Sequence, residues 1–464
     1  MKLPGYLSGI LLICLTLGAC DSYNLSLQEF FNGPPPGDSA TVRLGSVAGL
    51  LTYLAAATGG DSIDNPIVLP PLELNLTANE MTLLLAAIQS SGKYVSIDLS
   101  TCTMPSPEFD PGTTNTGKQY ITALILPDAA TSIKSGIYPD YNPTFRYFDK
   151  LSSVSGAGIT QVGVVAFDTC TSLSTISFPK AAVIGNSAFF RCTSLTSVNL
   201  PKAATIDNSA FHECTSLTTI SLPEAATIGK DVFNGCTSLA TINLPEASNI
   251  GNNAFNGCTS LATISLPKAT GIGDRAFEGC TVLTTISLPK VTTIGNNAFN
   301  GCTSLSTISL SEVTTIDDST FNGCSSLTSV NLPKVTTIGD GAFDGCTSLA
   351  TISLPEASTI GDYVFSDCTN LTSVNFPEVT SIGDYAFTRC TALASLTLGK
   401  DTAPWPELGS TPFYNTGNSD TLTIHVPAGT AANYTSAWGV SAATLAGGNE
   451  NKYGNNHKAI EIID

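Results

Sequence analysis

From Leu151 onward, apolar and polar residues follow one phrase that returns every 22 residues. Leu151, Leu173 and ten further leucines ending at Leu393 hold its register without a slip. In one copy, Leu217, Ile220 and Leu222 form LxxIxL. A two-residue step puts Ile220 and Leu222 on one side of a strand and Thr219 and Ser221 on the other. Pro223 ends that strand, because it lacks a donor and fixes φ. Ile228-Gly229 reads as a second short extended element with a turn. Val232, Phe233 and Cys236, Ala-Phe-x-x-Cys in most copies, then return to the interior. A 22-residue coil buries too little apolar surface to order itself, so coils must stack and share a core. The pattern predicts a solenoid of about twelve contiguous coils over residues 148–400.

Flanking segments carry weaker patterns. Residues 46–57, SVAGLLTYLAAA, have helical spacing, with Ser46 as N-cap and Gly59-Gly60 as the stop. LELNL (72–76) alternates as a strand does. The stretch from Thr77 to Gly92 opens with Thr77 and Glu80 at capping-box spacing and reads as a helix. YVSIDLS (94–100) is another strand and a faint copy of the phrase. Residues 41–100 are therefore expected to form a small α/β cap over the first open edge. ITALILPDAATSI (121–133) is the phrase interrupted by an insertion, which makes 101–147 a degenerate first repeat. After Leu398 the phrase fades. One more strand, TLTIHVP, and a stretch with Tyr434 and Trp438 are expected to close the far end, giving an irregular C-terminal cap over 401–464.

Residues 1–19 read as a signal peptide: Lys2 precedes an apolar run from Leu7 to Leu17 that is too short to span a bilayer. The run ends Leu17-Gly18-Ala19-Cys20, which resembles the bacterial lipobox. That resemblance implies acyl chains on Cys20, which would hold the chain to a membrane at about 0.8 kcal/mol per buried methylene. Residues 20–40, with Pro34-Pro35-Pro36-Gly37, are expected to be a tether. The expected location is the cell envelope, at the outer membrane or cell surface, although Asp21 is an inner-membrane retention signal in some bacteria.

The phrase LxxIxLPxxxxxIGxxAFxxC resembles the BspA-type, or Treponema-pallidum-type, leucine-rich repeats of bacterial surface proteins, over residues 121–398 at least. The closing segment from Thr421 to Trp438 is similar to the end of such proteins. The resemblance implies a leucine-rich-repeat β-solenoid, an α+β chain once its cap is included, exposed on the surface and adhesive toward host matrix proteins or other cells. Asp207 and Asp317 stand where the family has Gly, and Ser311 where it has Pro, which questions those turns and not the fold.

Composition removes several function classes. Only 12% of residues are charged, against roughly 25% on average. A net charge of −18 spread along the chain leaves no basic patch for nucleic acid. Eleven cysteines, Cys170 to Cys390, keep the 22-residue step, an odd number whose side chains run parallel. They read as a packing ladder and neither as disulfides nor as metal ligands, and Cys102 as another buried thiol. Residues 110–119, DPGTTNTGKQ, contain GxxxxGK, but Gln119 stands where Ser or Thr would bind magnesium, so this is a loop. His212, His425 and His457 share no spacing, and His212 reads as an exposed variant of a turn asparagine. No GxSxG or HExxH occurs, so no catalytic residue, metal or cofactor is assigned.

Two outward rows remain. The residue after the strand-ending Pro is charged in every full repeat, and its mixed signs place Lys202 beside Glu224, Glu246 beside Lys268 and Glu312 beside Lys334. The outward strand positions Thr219, Ser221, Thr241, Asn243, Thr263, Ser265, Thr285 and Ser287 are the candidate ligand-facing surface. They form a polar carpet without aromatic anchors, and too irregular for the Thr-x-Thr array of an ice-binding solenoid. The expected function is a lipid-anchored, non-catalytic binding or adhesion module for host matrix or other cell-surface proteins. The alternative is a structural or antigenic spacer without a dedicated ligand.

Overall fold

Each regular coil contributes two short parallel strands. The first sets outward Thr, Ser or Asn residues on each side of an inward aliphatic residue, as in Thr219–Ser221 and Thr241–Asn243, and the second is a two-residue strand ending in Ile, as in Thr227–Ile228. Both pair with their equivalents one repeat later: Thr219 with Thr241, Ile220 with Ile242, Ile228 with Ile250. The computed structural model describes residues 44–136, 142–409, 411–414, 416, 422–438 and 460–464. It is a parallel β-solenoid of about 14 turns with few helices. The segments expected as signal peptide and tether, with Cys20 between them, lie outside the described residues.

The two ladders differ in continuity. Second strands form one nine-stranded sheet from Glu108–Phe109 to Thr293–Ile294 and a five-stranded sheet from Thr315–Ile316 to Glu407–Leu408. In the middle of the chain the first strands bond in pairs, such as Thr219–Ser221 with Thr241–Asn243 and Thr263–Ser265 with Thr285–Ser287. Bonds from the turns fill in between. Asn253 (φ 54°) and Gly257 (φ 69°) are both left-handed. Their N–H groups donate to Asp274 O and Glu278 O of the next coil, each at 2.8 Å.

The interior is a set of columns. Phe167, Phe189, Phe211 and their successors stack ring on ring, with centroids 5.2 Å apart at the first two steps, down to Phe387 and Phe413 at 5.6 Å. Leucine, isoleucine, alanine and cysteine columns beside them are buried.

The Gly of Ile-Gly has a steric cause rather than a conformational one. The Asn or Asp that follows it folds its Oδ1 over the next coil to accept a backbone N–H. Asn296 N bonds Asp274 Oδ1 at 3.0 Å, and Asp340 N bonds Asp318 Oδ1 at 2.9 Å. A Cβ on Gly295 would then lie 2.4 Å from Asp274 Oδ1. Where Asp207 replaces the Gly, Asn186 turns aside to accept from Ser187 Oγ at 2.7 Å, and Asp207 N still reaches Ile184 O at 3.0 Å. The turn at Ser311 also persists, with Val313 N bonded to Leu310 O at 3.4 Å.

At the N-terminal side, α1 (Val47–Ala56) is capped by Ser46 Oγ, and α2 (Ala78–Ser91) by Thr77 Oγ1, which accepts from Glu80 N at 3.2 Å. α2 ends at left-handed Gly92 (φ 64°). Val95–Asp98 pairs in parallel with Ile67–Val68 on one side and Ile121–Ile125 on the other, so this α/β unit continues the solenoid sheet. LELNL, expected as a strand, makes only the isolated bridges Leu44–Leu72 and Asn75–Thr103. Its partner segment turns between Leu99 and Cys102, which splits the bonds between Asp98 O and Thr103 O.

The solenoid also outlasts its sequence signature. Glu407–Leu408 extends the second ladder and Leu422–His425 the first, which then pairs with Ile460–Ile463. Buried Tyr434 on α3 (Ala431–Ala437) donates to Lys400 O at 2.7 Å, and Trp438 Nε1 to Pro406 O at 2.8 Å.

Two alanine substitutions separate the two uses of glycine. Gly279 (φ 70°) has no atom nearer than 3.9 Å to its would-be Cβ, so Gly279→Ala is expected to cost the backbone term alone, about 1 kcal/mol. Gly295→Ala carries no left-handed term but must displace both Asp274 Oδ1 and the backbone at Asp274 N, 2.6 Å from the added Cβ, and is expected to cost at least twice as much, about 2 kcal/mol or more. Urea-unfolding midpoints of the two variants check the order.

Candidate functional site

All eight candidate positions on the first-strand face, Thr219, Ser221, Thr241, Asn243, Thr263, Ser265, Thr285 and Ser287, are exposed. Thr219 sits beside Thr241 and Ser221 beside Asn243, with Thr263 and Ser265 beside Thr285 and Ser287. Part of this polarity is used internally. Asn243 Nδ2 donates to Ser221 Oγ at 3.2 Å, and the neighbouring Thr284 hydroxyl donates to Ala262 O at 3.1 Å. The face is thus a regular grid of small hydroxyl and amide groups held by the sheet beneath.

The charged row pairs across coils. Lys202 reaches Glu224 at 2.5 Å, Lys334 reaches Glu312 at 2.7 Å, and Lys268 contacts Glu246. These side chains are about half exposed, so solvent screens each pair and its contribution to stability is small.

The cysteine column has a role that spacing did not reveal. Each thiol is buried and donates to the carbonyl of the phenylalanine 25 residues earlier, as Cys258 Sγ to Phe233 O and Cys280 Sγ to Phe255 O, both at 3.2 Å. Phe233 O also accepts Cys236 N at 3.0 Å, so one carbonyl joins two coils. Burial pushes the Cys236 thiol up to about 12 and Cys258 well above its ordinary value. A thiol held protonated is neither a nucleophile nor a ready metal ligand. Cys102, off the column, donates in the same way to Leu72 O at 3.0 Å.

GxxxxGK forms a loop whose lysine turns inward. Gly117 N bonds Gln89 Oε1 at 3.0 Å, and Lys118 is fully buried, donating to Gly112 O with its Nζ 5.3 Å from the Phe148 ring centre. Desolvation lowers Lys118 to about 8. Its ammonium closes the loop on itself instead of offering charge to a phosphate. His212 is not exposed as expected. It stacks on Phe190 with centroids 4.9 Å apart, and its Nδ1 is buried without a hydrogen-bond partner. The reason is a neighbour rather than a motif, since the coil before it carries Phe at the same place. Among the described residues, no group of three or more His, Cys, Asp or Glu is arranged to hold a metal.

The model of the BspA type leucine rich repeat region matches residues 141–262, 248–372 and 358–435, which together span well over half of the 464 residues. The chain belongs to the BspA-type leucine-rich-repeat family. No curated protein matches it. Among solved structures it is similar to a leucine-rich cell surface protein of Faecalibacterium prausnitzii, at 26% identity over 60% of this chain and 87% of that one, TM-score 0.38. A leucine-rich repeat protein of Bacteroides ovatus has 22% identity over 72% of this chain and 88% of its own, TM-score 0.43. The T. pallidum leucine-rich repeat protein has 27% identity over 44% and 80%, TM-score 0.27. The family is a protein-interaction fold and not a known class of enzyme. No helix among the described residues is long and apolar enough to cross a membrane.

Asp168 is a functional candidate that sequence reasoning missed. It is 4% exposed, and its Oδ1 accepts no hydrogen bond. Burial raises its carboxyl from 3.8 to about 6, with Arg191 opposing the rise. Nothing in the sequence marks it, because the same column position holds Phe190 and His212 in the next two coils and a mixture of Asn, Glu278, Asp344, Ser366 and Thr388 later.

Two outcomes follow. A thiol reagent is expected to leave Cys192 to Cys390 unlabelled in the folded protein and to label them in urea, as peptide mapping would show. For Asp168 the folded state keeps its proton to higher pH than the unfolded state, so its stabilising contribution is complete below pH 3.8 and falls as pH rises to about 6. Melting curves across that window should therefore show the wild type losing stability relative to Asp168→Asn.

Proposed function

We propose that this chain is exported, anchored by acyl chains on Cys20, and presents its first-strand face as a binding module for proteins of a host matrix or a neighbouring cell surface. The observation that carries this reading is the exposed, in-register grid from Thr219 to Ser287 on a rigid frame. It repeats similar small polar groups, Thr, Ser and Asn, at strand spacing, about 4.8 Å. Such a grid lacks the Trp, Tyr and Arg anchors that concentrate binding energy, so affinity arises by adding many weak contacts along an extended partner. The resemblance of Leu17-Gly18-Ala19-Cys20 to a lipobox and membership of the family support the anchored, surface-exposed arrangement. Residues 1–19 act as the signal peptide and 20–40 as the tether that lifts the solenoid from the membrane.

One observation favours a second reading, a surface spacer without a dedicated ligand. Asn199, Asn243 and Asn331 spend an amide hydrogen on the serine of the preceding coil, which satisfies part of the face from within.

Cys20→Ser is expected to abolish incorporation of an alkyne fatty acid and to move the protein from the membrane to the soluble fraction. With anchoring intact, Thr219→Arg combined with Thr263→Arg should weaken binding to immobilised collagen, laminin or whole cells at least tenfold while the melting temperature holds. Wild-type protein that binds none of these would leave the spacer reading standing.

A further inference from the structure

Two departures from the repeat coincide in the last regular coils, in the turn after the second strand. There, the residue two places after the strand-ending Ile lends a side-chain oxygen to a backbone N–H of the next coil. Asn208, Asn252 and Asn296 do this with an amide, accepting from Lys230 N at 2.8 Å and from Asp274 N and Asp318 N at 3.1 Å. The rung therefore requires an oxygen and not a charge.

Asp318, Asp340, Asp362 and Asp384 nevertheless hold this position in four consecutive coils. Their rungs run from Asp340 N to Asp318 Oδ1 at 2.9 Å, Asp362 N to Asp340 Oδ1 at 2.8 Å and Asp384 N to Asp362 Oδ1 at 2.7 Å. The earlier Asp274 stands between Asn252 and Asn296, and Asn252 Nδ2 donates to its second oxygen at 3.1 Å. No amide separates the four later carboxylates, which lie at strand spacing, about 4.8 Å, and repel one another. Asp318 and Asp340 are exposed, and Asp362 is half-buried. Nearby charge does not relieve them. Residues 335–399 hold seven acidic residues against one basic residue, Arg389, which is paired with Asp367 at 3.2 Å.

The residue after the aspartate departs too. From Ser187 to Gly341 its position holds Ser, Asp, Asn, Arg or Gly, and in the last two regular coils it holds Tyr363 and Tyr385. Their rings stack with centroids 5.0 Å apart, and Tyr414 meets Tyr385 edge-on at 6.3 Å. Tyr363 and Tyr414 are 45% and 40% exposed, the two exposed aromatic side chains among the described residues. Gly341, in the coil before, has no side chain to cover the other face of Tyr363. Eight earlier coils fold without an aromatic residue at this position, so packing does not require these rings.

Rings and carboxylates together select an occupant. A guanidinium or ammonium group on an apolar stem fits both, by packing on the ring and by pairing with charge. Both rows run along the solenoid axis, so the occupant is extended. Three steps from Asp318 to Asp384 cover roughly 14 Å, the reach of about four residues of extended chain.

We propose that this surface docks an extended, Arg- and Lys-rich segment of a partner protein, its cationic heads on Asp318, Asp340 and Asp362 and its side-chain stems against Tyr363 and Tyr385. The surface lies outside the first-strand face and goes beyond the reading given for it.

The test is fluorescence anisotropy on the full chain, with a labelled peptide of alternating Arg and Ser as probe and a Glu-Ser peptide as control. The Arg-Ser peptide is expected to bind, more weakly as salt rises, and the Glu-Ser peptide not to bind. Asp318→Asn, Asp340→Asn and Asp362→Asn together keep every rung oxygen, so the melting temperature should hold or rise while affinity falls at least tenfold. Tyr363→Ser with Tyr385→Asn, which restores residues of earlier coils, should weaken binding at least threefold at unchanged net charge. Glu224→Gln, Glu246→Gln and Glu278→Gln together remove the same charge elsewhere and should change affinity less than twofold, as should Thr219→Arg with Thr263→Arg. No binding of the Arg-Ser peptide, full binding by the three-Asn variant or the tyrosine variant, or an equal loss in the three-Gln variant would overturn the proposal.

Discussion

Each coil ends with backbone N–H and C=O groups directed at its neighbours along the axis, and only a neighbour in register can satisfy them. Everything else in the molecule serves that demand. The two β ladders meet it at the strands, and left-handed residues such as Asn253 and Gly257 meet it in the turns. The thiol of each column cysteine meets it once more at the phenylalanine carbonyl. An unsatisfied buried peptide group costs more than a made bond gains, so loss of register by one residue would be penalised at several places in every coil.

This constraint explains both the conservatism of the repeat and its freedom. Positions that point along the axis or inward accept few residue types: Phe for a stacked column, Ala and Cys for the narrow space beside it, Gly under the overhanging Asp or Asn. Outward positions bear none of this demand, and they hold the chain's variation. The charged row mixes signs from coil to coil, and the strand face stays small and polar. At either end the composition changes, with Tyr147, Phe190 and His212 near the start and Tyr363, Tyr385 and Tyr414 near the finish. A quasi-one-dimensional fold tolerates such local change because each coil answers only to its neighbours.

The departures from expectation have the same origin. LELNL has the alternation of a strand, but alternation cannot tell that its partner segment turns midway. His212 looked like an exposed turn residue because its own coil offers no ring to cover it; the ring belongs to the coil before. The cysteines were legible as small buried groups, yet the carbonyl each one serves lies 25 residues earlier, three residues off the repeat period. Asp168 had no signature, since what makes it unusual is the wall around it.

The sequence by itself determined the period, the inward and outward sides of each strand, the strand-ending prolines and the caps of α1 and α2, because these depend on contacts within a few residues or on strict repetition. Tertiary structure alone decided what one coil does to the next: which oxygen forbids a Cβ on Gly295, which carbonyl takes a thiol proton, and how irregular flanks continue both ladders. It also brought an inserted segment against two coils to enclose a buried carboxyl. Those outcomes arise from atoms a full turn apart in the chain and a few ångströms apart in space, where residue spacing carries no record of the distance between them.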